Sequence, residues 1–339
     1  MSMDTTNSFL NHVDLQHKDC SIFVAGHNGM VGSSIVKNLK SHGFNKIITA
    51  DRANLNLLNQ THVLDFFSDN KIDQIYIAAA RVGGIYANST YPADFIYENL
   101  MIEANLIHAA HVYDIDRLMF LGSSCIYPRN TSQPMKENQL LTGELEKTNQ
   151  AYAISKIAGI ELCRNYNNQF SRDFRCVMPT NLYGRNDNFH SENSHVIPGL
   201  ISRFYEAKKN NYNKIKIWGT GEAYREFLHV QDLAQACIFL MNLSKEKFYP
   251  SLKSLYPFVN LGSGFEIRIK DLVDMISKVS NFNGDLIFDI TKPDGPKRKL
   301  LDNSVMNKFG WKPKISLQDG IRDTYEWYSN NQTSVRNKK

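Results

Sequence analysis

The amino-acid sequence predicts an α/β protein, a doubly wound parallel sheet followed by a smaller C-terminal α/β lobe, and three observations predict it. Ser21-Ile22-Phe23-Val24-Ala25 is a β-branched apolar run that meets Gly26, and helical spacing of Met30, Val31, Ile35, Val36 and Leu39 follows directly. Strand-like and helix-like segments then alternate down the chain. After Pro179 the rhythm loosens into polar stretches with isolated elements.

The alternation continues with a strand at Lys46–Ala50, a helix at Thr61–Phe67, a strand at Gln74–Ala79 and a helix at Ala93–Val112. A strand at Arg117–Leu121, a helix at Ala151–Phe170 and a strand at Arg175–Met178 complete it. Strands separated by helices imply parallel neighbours, because a parallel pair needs a crossover connection. The lobe is expected to hold helices at Ile197–Lys209, Ile269–Ser280 and Leu317–Tyr328, with strands at Lys214–Trp218, Phe258–Leu261 and Leu286–Asp289. Val230–Leu243 reads as a helix that could return to the sheet. The expected organisation is a polar extension (1–18), a sheet domain (19–180, with returning segments after 225), the lobe (181–330) and a tail (331–339). Both termini are polar and expected to be poorly ordered.

With 339 residues, 42% apolar and 22% charged, the composition is that of a globular chain. No apolar run approaches the ~18 residues that span a bilayer, and Met1-Ser2-Met3-Asp4 opens no secretory signal. Cys20, Cys125, Cys163, Cys176 and Cys237 form no Cys-x-x-Cys pair, which argues against a disulfide framework or a zinc site. A cytoplasmic protein with reduced thiols and no resident metal is expected. The net charge of +5 is spread along the chain, which suits an anionic ligand better than nucleic acid.

Gly26-His27-Asn28-Gly29-Met30-Val31-Gly32 places glycines three apart between the first strand and first helix. Such a turn lets backbone approach a pyrophosphate while the helix N-terminus favours its charge, although it can also be purely structural. Asp51-Arg52 follows the second strand, where an acid would accept from a ribose 2′-hydroxyl and an arginine would pair with a 2′-phosphate. Both are present, so these residues leave NAD and NADP open.

Tyr152 and Lys156 stand one helical turn apart, and an ammonium there is expected to lower the tyrosine pKa from its usual ~10. Tyr205/Lys209, Tyr212/Lys216 and Tyr249/Lys253 share the spacing. Tyr152/Lys156 is set apart by following both the glycine turn and a strand that ends in Leu121-Gly122-Ser123-Ser124-Cys125. Strand C-termini are where open α/β sheets bind ligands. There a serine can hydrogen-bond a carbonyl, a tyrosine can protonate it and a lysine can hold a ribose.

Through these three features the chain resembles the extended short-chain dehydrogenase/reductase superfamily, with its Rossmann sheet. Val82–Ile85, Tyr91–Tyr97, Gly122–Pro128, Met178–Gly184, Asn193–Pro198, Arg225–Val230 and Lys292–Gly295 narrow the likeness to the GDP-L-fucose synthase family, from about Ile22 to Tyr328. The resemblance implies an NADP(H) cofactor held by Gly26, Asn28, Gly29, Met30, Val31, Gly32, Asp51, Arg52, Lys156, Pro179, Asn181 and Leu182. It implies reduction by Ser123, Tyr152 and Lys156, with Cys125 and His195 as base and acid of epimerisation. A GDP-linked 4-keto sugar would be held in the lobe by Arg203, Trp218, Arg225 and Lys299, and a homodimer would pair Ala93–Val112 with Ala151–Phe170. Asn28 stands where the family commonly carries arginine. The implied reaction is C4 reduction of a GDP-4-keto-6-deoxymannose or a GDP-4-keto heptose, with C3/C5 epimerisation either built in or left to a separate enzyme. A dehydratase would want an acid within Ser123–Cys125, which has none, and a non-catalytic nucleotide sensor would not need Ser123, Tyr152 and Lys156 intact.

Overall fold

Strand β1 (Ile22–Ala25) is buried on both sides: Phe23 and Ala25 enter one core, Ile22 and Val24 the other. A strand apolar on both faces needs helices on both, and parallel crossovers supply them. The computed structural model describes residues 18–190, 193–252, 254–292 and 294–332. The extension up to residue 17, the tail from residue 333 and Pro293 lie outside them.

After β1 come α1 (Met30–Ser41), β2 (Ile47–Ile48), α2 (Gln60–Asp69), β3 (Gln74–Ile77), α3 (Ile85–Thr90), α4 (Pro92–Val112), β4 (Arg117–Leu121), α5 (Gln150–Phe170) and β5 (Asp173–Pro179). The second half runs β6 (Asn181–Tyr183), α6 (Val196–Lys209), β7 (Lys214–Trp218), β8 (Tyr224–His229), α7 (Val230–Asn242), α8 (Lys245–Phe248) and β9 (Phe258–Leu261). It ends with β10 (Glu266–Arg268), α9 (Ile269–Ser280), β11 (Asp285–Asp289), β12 (Arg298–Lys299), α10 (Ser304–Lys308) and α11 (Leu317–Asn330).

Six strands form the main sheet in the order β2-β1-β3-β4-β5-β9, all parallel. Residues of α2, α4 and α5 share one core with it, and residues of α1 and α7 share the other. β9 corrects an expectation: Phe258–Leu261 belongs to this sheet and not to the lobe. All four of its residues are inaccessible, with β5 alongside and α10 and the turn at Glu137–Gln139 packed against it. α7 does return to the sheet, tied to α1 by Ser34 Oγ donating to the Val230 carbonyl at 3.2 Å and by Asn38 Nδ2 donating to Gln231 Oε1 at 2.8 Å.

The remaining strands are short. β8 pairs with β6, β10 and β12, while β7 pairs with β11. Over them α6, α9 and α11 bury Ile201, Phe204, Val273, Ile276 and Ile321 in a third core. α9 shows why the sequence legibly predicts these helices, since Leu272, Val273 and Ile276 face inward while Asp274 and Lys278 face water.

Glu226 links this region to the main sheet. Its buried carboxylate accepts from the Gly264 N–H at 2.7 Å and the Leu301 N–H at 3.0 Å, and its carbonyl accepts from Asn181 Nδ2 at 2.9 Å. Replacing it by leucine leaves the buried Leu301 amide unpaired, at ~1–3 kcal/mol, and releases the Gly264 amide to solvent. Glu226→Leu is therefore expected to lower the unfolding free energy by roughly 1–3 kcal/mol in urea titrations; an unchanged midpoint would contradict this role.

Candidate active site

Strand order reverses at β1, with β2 to one side and β3 to the other, and a groove of about 660 Å³ opens beyond the strand ends there. Switch points of this kind are where open parallel sheets hold ligands. Gly26 leaves the strand at φ +83°, and a Cβ on it would sit 2.7 Å from the Ala79 Cα. A Cβ on Gly32 would sit 2.2 Å from the Gly26 carbonyl oxygen, so α1 packs across the strand exit at a distance only glycine allows. Gly29 caps α1 without a side chain, which leaves the first-turn amides to a ligand. This cradle fits a pyrophosphate.

Gly26, Asn28, Gly29, Asp51 and Arg52 line that groove, with Met30, Val31 and Gly32 forming the helical turn behind it. Asp51 and Arg52 differ in what they have left to offer. Asp51 Oδ1 accepts from the Ala53 N–H at 3.1 Å, the Asn54 N–H at 3.0 Å and Asn54 Nδ2 at 2.9 Å, which commits that oxygen to its own turn. Arg52 is exposed and has no hydrogen bond or ion pair among the described residues.

A second cavity, of about 390 Å³, meets the groove at Gly83. It gathers Ser123, Cys125, Tyr152, Asn181, Leu182, His195, Arg203, Trp218, Arg225 and Lys299, which come from both halves of the chain. Asn181 and Leu182 thus line the second cavity instead of the groove. Pro179 ends β5 and lines neither cavity. Lys156 also lines neither: its ammonium lies beneath the floor, 2.8 Å from Glu103 Oε1 on α4 and 5.8 Å from the centroid of the Tyr152 ring.

That arrangement overturns the expected effect of Lys156 on Tyr152. Burial, then the neighbouring Cys125 and Glu103, hold the phenol well above its ordinary range. Tyr152 is therefore a neutral proton donor. Ser123 Oγ accepts from the Cys125 N–H at 3.3 Å, capping a short turn that aims both side chains into the cavity. Burial raises the Cys125 thiol, and Lys299 is the strongest influence against it. His195 is exposed and lines the cavity, and desolvation lowers its pKa and leaves it neutral at pH 7.

The lobe presents cations without counter-charges. Arg203, Arg225 and Lys299 have no ion pair within 4 Å among the described residues, and burial lowers the pKa of each. Arg203 stands 5.6 Å from the Trp218 ring centroid, and the indole is half exposed. Lys292 Nζ stands over the same ring at 5.6 Å, so desolvated cations cluster around a half-exposed indole, which suits an anion attached to a flat ring.

Sequence reasoning missed Glu103. Its signal was an acid on the apolar face of α4, in step with Asn99, Ile102, Leu106 and Ala110.

The fold and its glycine cradle define a nucleotide-binding α/β class. Residues 22–249 match the model of the NAD dependent epimerase/dehydratase family, and the chain belongs to that family. It is 51% identical over 315 residues to a GDP-L-fucose synthase of Escherichia coli (strain K12), covering 93% of this chain and 98% of that protein. GDP-L-fucose synthase 1 of Arabidopsis thaliana is 50% identical, covering 94% and 95%. Among solved structures, a GDP-mannoheptose C4 reductase from Campylobacter jejuni with NADP bound superposes with a TM-score of 0.81 at 36% identity, covering 91% of this chain and 97% of that one.

A buried, raised thiol reacts slowly with alkylating agents. Mass-spectrometric mapping is expected to show iodoacetamide labelling Cys125 at pH 7.5 at least ~10-fold more slowly than a free thiol, and more slowly again in Lys299→Met. Rapid labelling, or no effect of Lys299→Met, would contradict this electrostatic account.

Proposed function

We propose that the protein is an NADPH-dependent oxidoreductase that inverts C3 and C5 of GDP-4-keto-6-deoxymannose and reduces C4, giving GDP-L-fucose. The observation that carries this reading is the single cavity in which Ser123, Tyr152, Cys125 and His195 meet the unpaired cations Arg203, Arg225 and Lys299. The high identity to fucose synthases over nearly the whole chain supports the deoxyhexose over a heptose.

When bound, the reduced nicotinamide supplies the hydride. Arg52 is free to pair with a 2′-phosphate, while the turn occupies one oxygen of Asp51. Arg203, Arg225 and Lys299 neutralise the diphosphate, and Trp218 offers its face to the guanine.

The C4 carbonyl acidifies the protons on C3 and C5. Passage of the Cys125 proton to His195 creates a thiolate and an imidazolium, favoured by Lys299. The thiolate removes a ring proton and the imidazolium returns one to the opposite face, so both groups end as they began. In the reduction Tyr152 donates its phenolic proton to the C4 oxygen, while Ser123 O–H orients that oxygen. The same reading places the enzyme in the cytoplasm as a homodimer through α4 and α5, where Tyr97 and Ile154 remain exposed. Among the described residues no helix is long and apolar enough to cross a membrane.

Tyr152→Phe is expected to cut NADPH oxidation by at least ~100-fold while C3/C5 proton exchange with solvent continues. Cys125→Ser should lose that exchange yet reduce a ketone already inverted at C3 and C5. Arg52→Ala should raise the KM for NADPH by ~10–100-fold and leave that for NADH unchanged. The reading fails if the wild-type enzyme oxidises NADPH with a GDP-4-keto heptose but not with GDP-4-keto-6-deoxymannose.

A further inference from the structure

After β6 the chain runs through a loop, residues 184–190, that both halves of the molecule hold. From the lobe, Asp323 on α11 pairs with Arg185, whose Nε donates to Oδ2 at 2.9 Å, and Tyr328 of the same helix stacks on the Phe189 ring with centroids 4.3 Å apart. From the sheet side, Asn186 Nδ2 donates to Ser33 Oγ at 3.1 Å. Asn186 turns the chain there at φ +64°, a backbone state that asparagine tolerates. Ser33 belongs to the first turn of α1, where its N–H bonds to the Gly29 carbonyl at 2.9 Å. The loop is thus moored beside the uncapped amides that open onto the groove.

Within this loop Asn188 is the residue that lines the groove. Its side chain is held in one orientation. Oδ1 accepts from the His190 N–H at 3.1 Å, and the Asn188 N–H is itself held by Asp187 Oδ1 at 2.7 Å. A backbone N–H needs an acceptor, so the oxygen of the amide faces His190 and the NH2 group is its free end. Nδ2 has no hydrogen-bond partner among the described residues and remains reachable from solvent. The Arg81 guanidinium, also on the groove wall, is already engaged by Asp94 at 3.0 Å and by Glu98.

We propose that Asn188 binds the cofactor: its side-chain N–H donates to the diphosphate, adding a donor from outside the main sheet to the amides of α1. The inference rests on the reading of the groove as the NADPH site. Because the loop is tied to α11, the lobe then takes part in holding the cofactor as well as the sugar nucleotide. A hydrogen bond to a charged oxygen is stronger than one between neutral groups, so its loss should be read directly in affinity.

The test measures dissociation constants by calorimetry for NADPH, for 2′-phospho-ADP-ribose, which keeps the diphosphate without the nicotinamide, and for adenosine 2′-phosphate, which has no diphosphate. Wild type is compared with Asn188→Ala, Asn188→Asp and Arg52→Ala. Asn188→Asp keeps an oxygen for the His190 N–H and puts a second oxygen in place of the NH2 group, so it preserves the loop and repels a phosphate. Asn188→Ala is expected to weaken NADPH and 2′-phospho-ADP-ribose alike, by ~10-fold, and Asn188→Asp by more, with adenosine 2′-phosphate within about twofold of wild type in both. Arg52→Ala should weaken all three. A loss confined to NADPH would place Asn188 at the nicotinamide, and an equal loss with all three ligands would mean a distorted groove. Either overturns the inference, as does an unchanged affinity for NADPH. If Asn188→Ala does not fold, Asn188→Asp decides by the same comparison. Failure of the wild-type protein to bind NADPH would instead overturn the cofactor assignment on which the inference rests.

Discussion

The close crossing of α1 over the exit of β1 is the constraint on which the site depends. Gly32 lies so near the Gly26 carbonyl that no larger residue fits, and the crossing places the uncapped amides of α1 at the sheet's switch point. The nucleotide groove follows from that contact. The adjoining ends of β3 and β4 then deliver Gly83 and the Ser123–Cys125 turn to the neighbouring cavity, so groove and cavity share a wall.

The second cavity depends on the lobe in a different way. Its floor is supplied by the main sheet and α5, and its cations come from α6, β8 and β12. Glu226 joins the two by accepting amides from the β9–β10 turn and from Leu301, just beyond Lys299. Lys299, paired through β12 with Arg225 on β8, stands two residues before that amide and is the strongest influence lowering the Cys125 thiol.

Much of this was legible in the sequence, for reasons that are local. Most of the alternation up to Pro179 reflects strands buried on both faces, β2 excepted, and helices of 10 residues or more, whose periodicity is unambiguous; the six-residue α3 escaped it. The glycine spacing and the Tyr152/Lys156 turn are likewise read within seven residues. What escaped is non-local. β6, β10 and β12 have two or three residues each and exist only because β8 pairs with them. β9 joined the main sheet because its neighbour there is β5, some 80 residues earlier. The protonation state of Tyr152 was misjudged because the spacing shows Lys156 but not how fully the phenol is enclosed, nor Glu103, 53 residues before Lys156 on another helix. Capture of Asp51 by Asn54 is a matter of turn geometry that residue types alone leave undetermined.

The central claim is that one cavity both inverts and reduces the sugar, and isotope placement tests it most directly. Wild-type enzyme would be given GDP-4-keto-6-deoxymannose and NADPH in deuterium oxide and the product examined by NMR. The account predicts GDP-L-fucose with deuterium at C3 and C5 and protium at C4, the first two drawn from solvent through Cys125 and His195 and the last from the cofactor. A reduced product that retains protium and the original configuration at C3 and C5 would contradict it, leaving a C4 reductase in which Cys125 and His195 are idle.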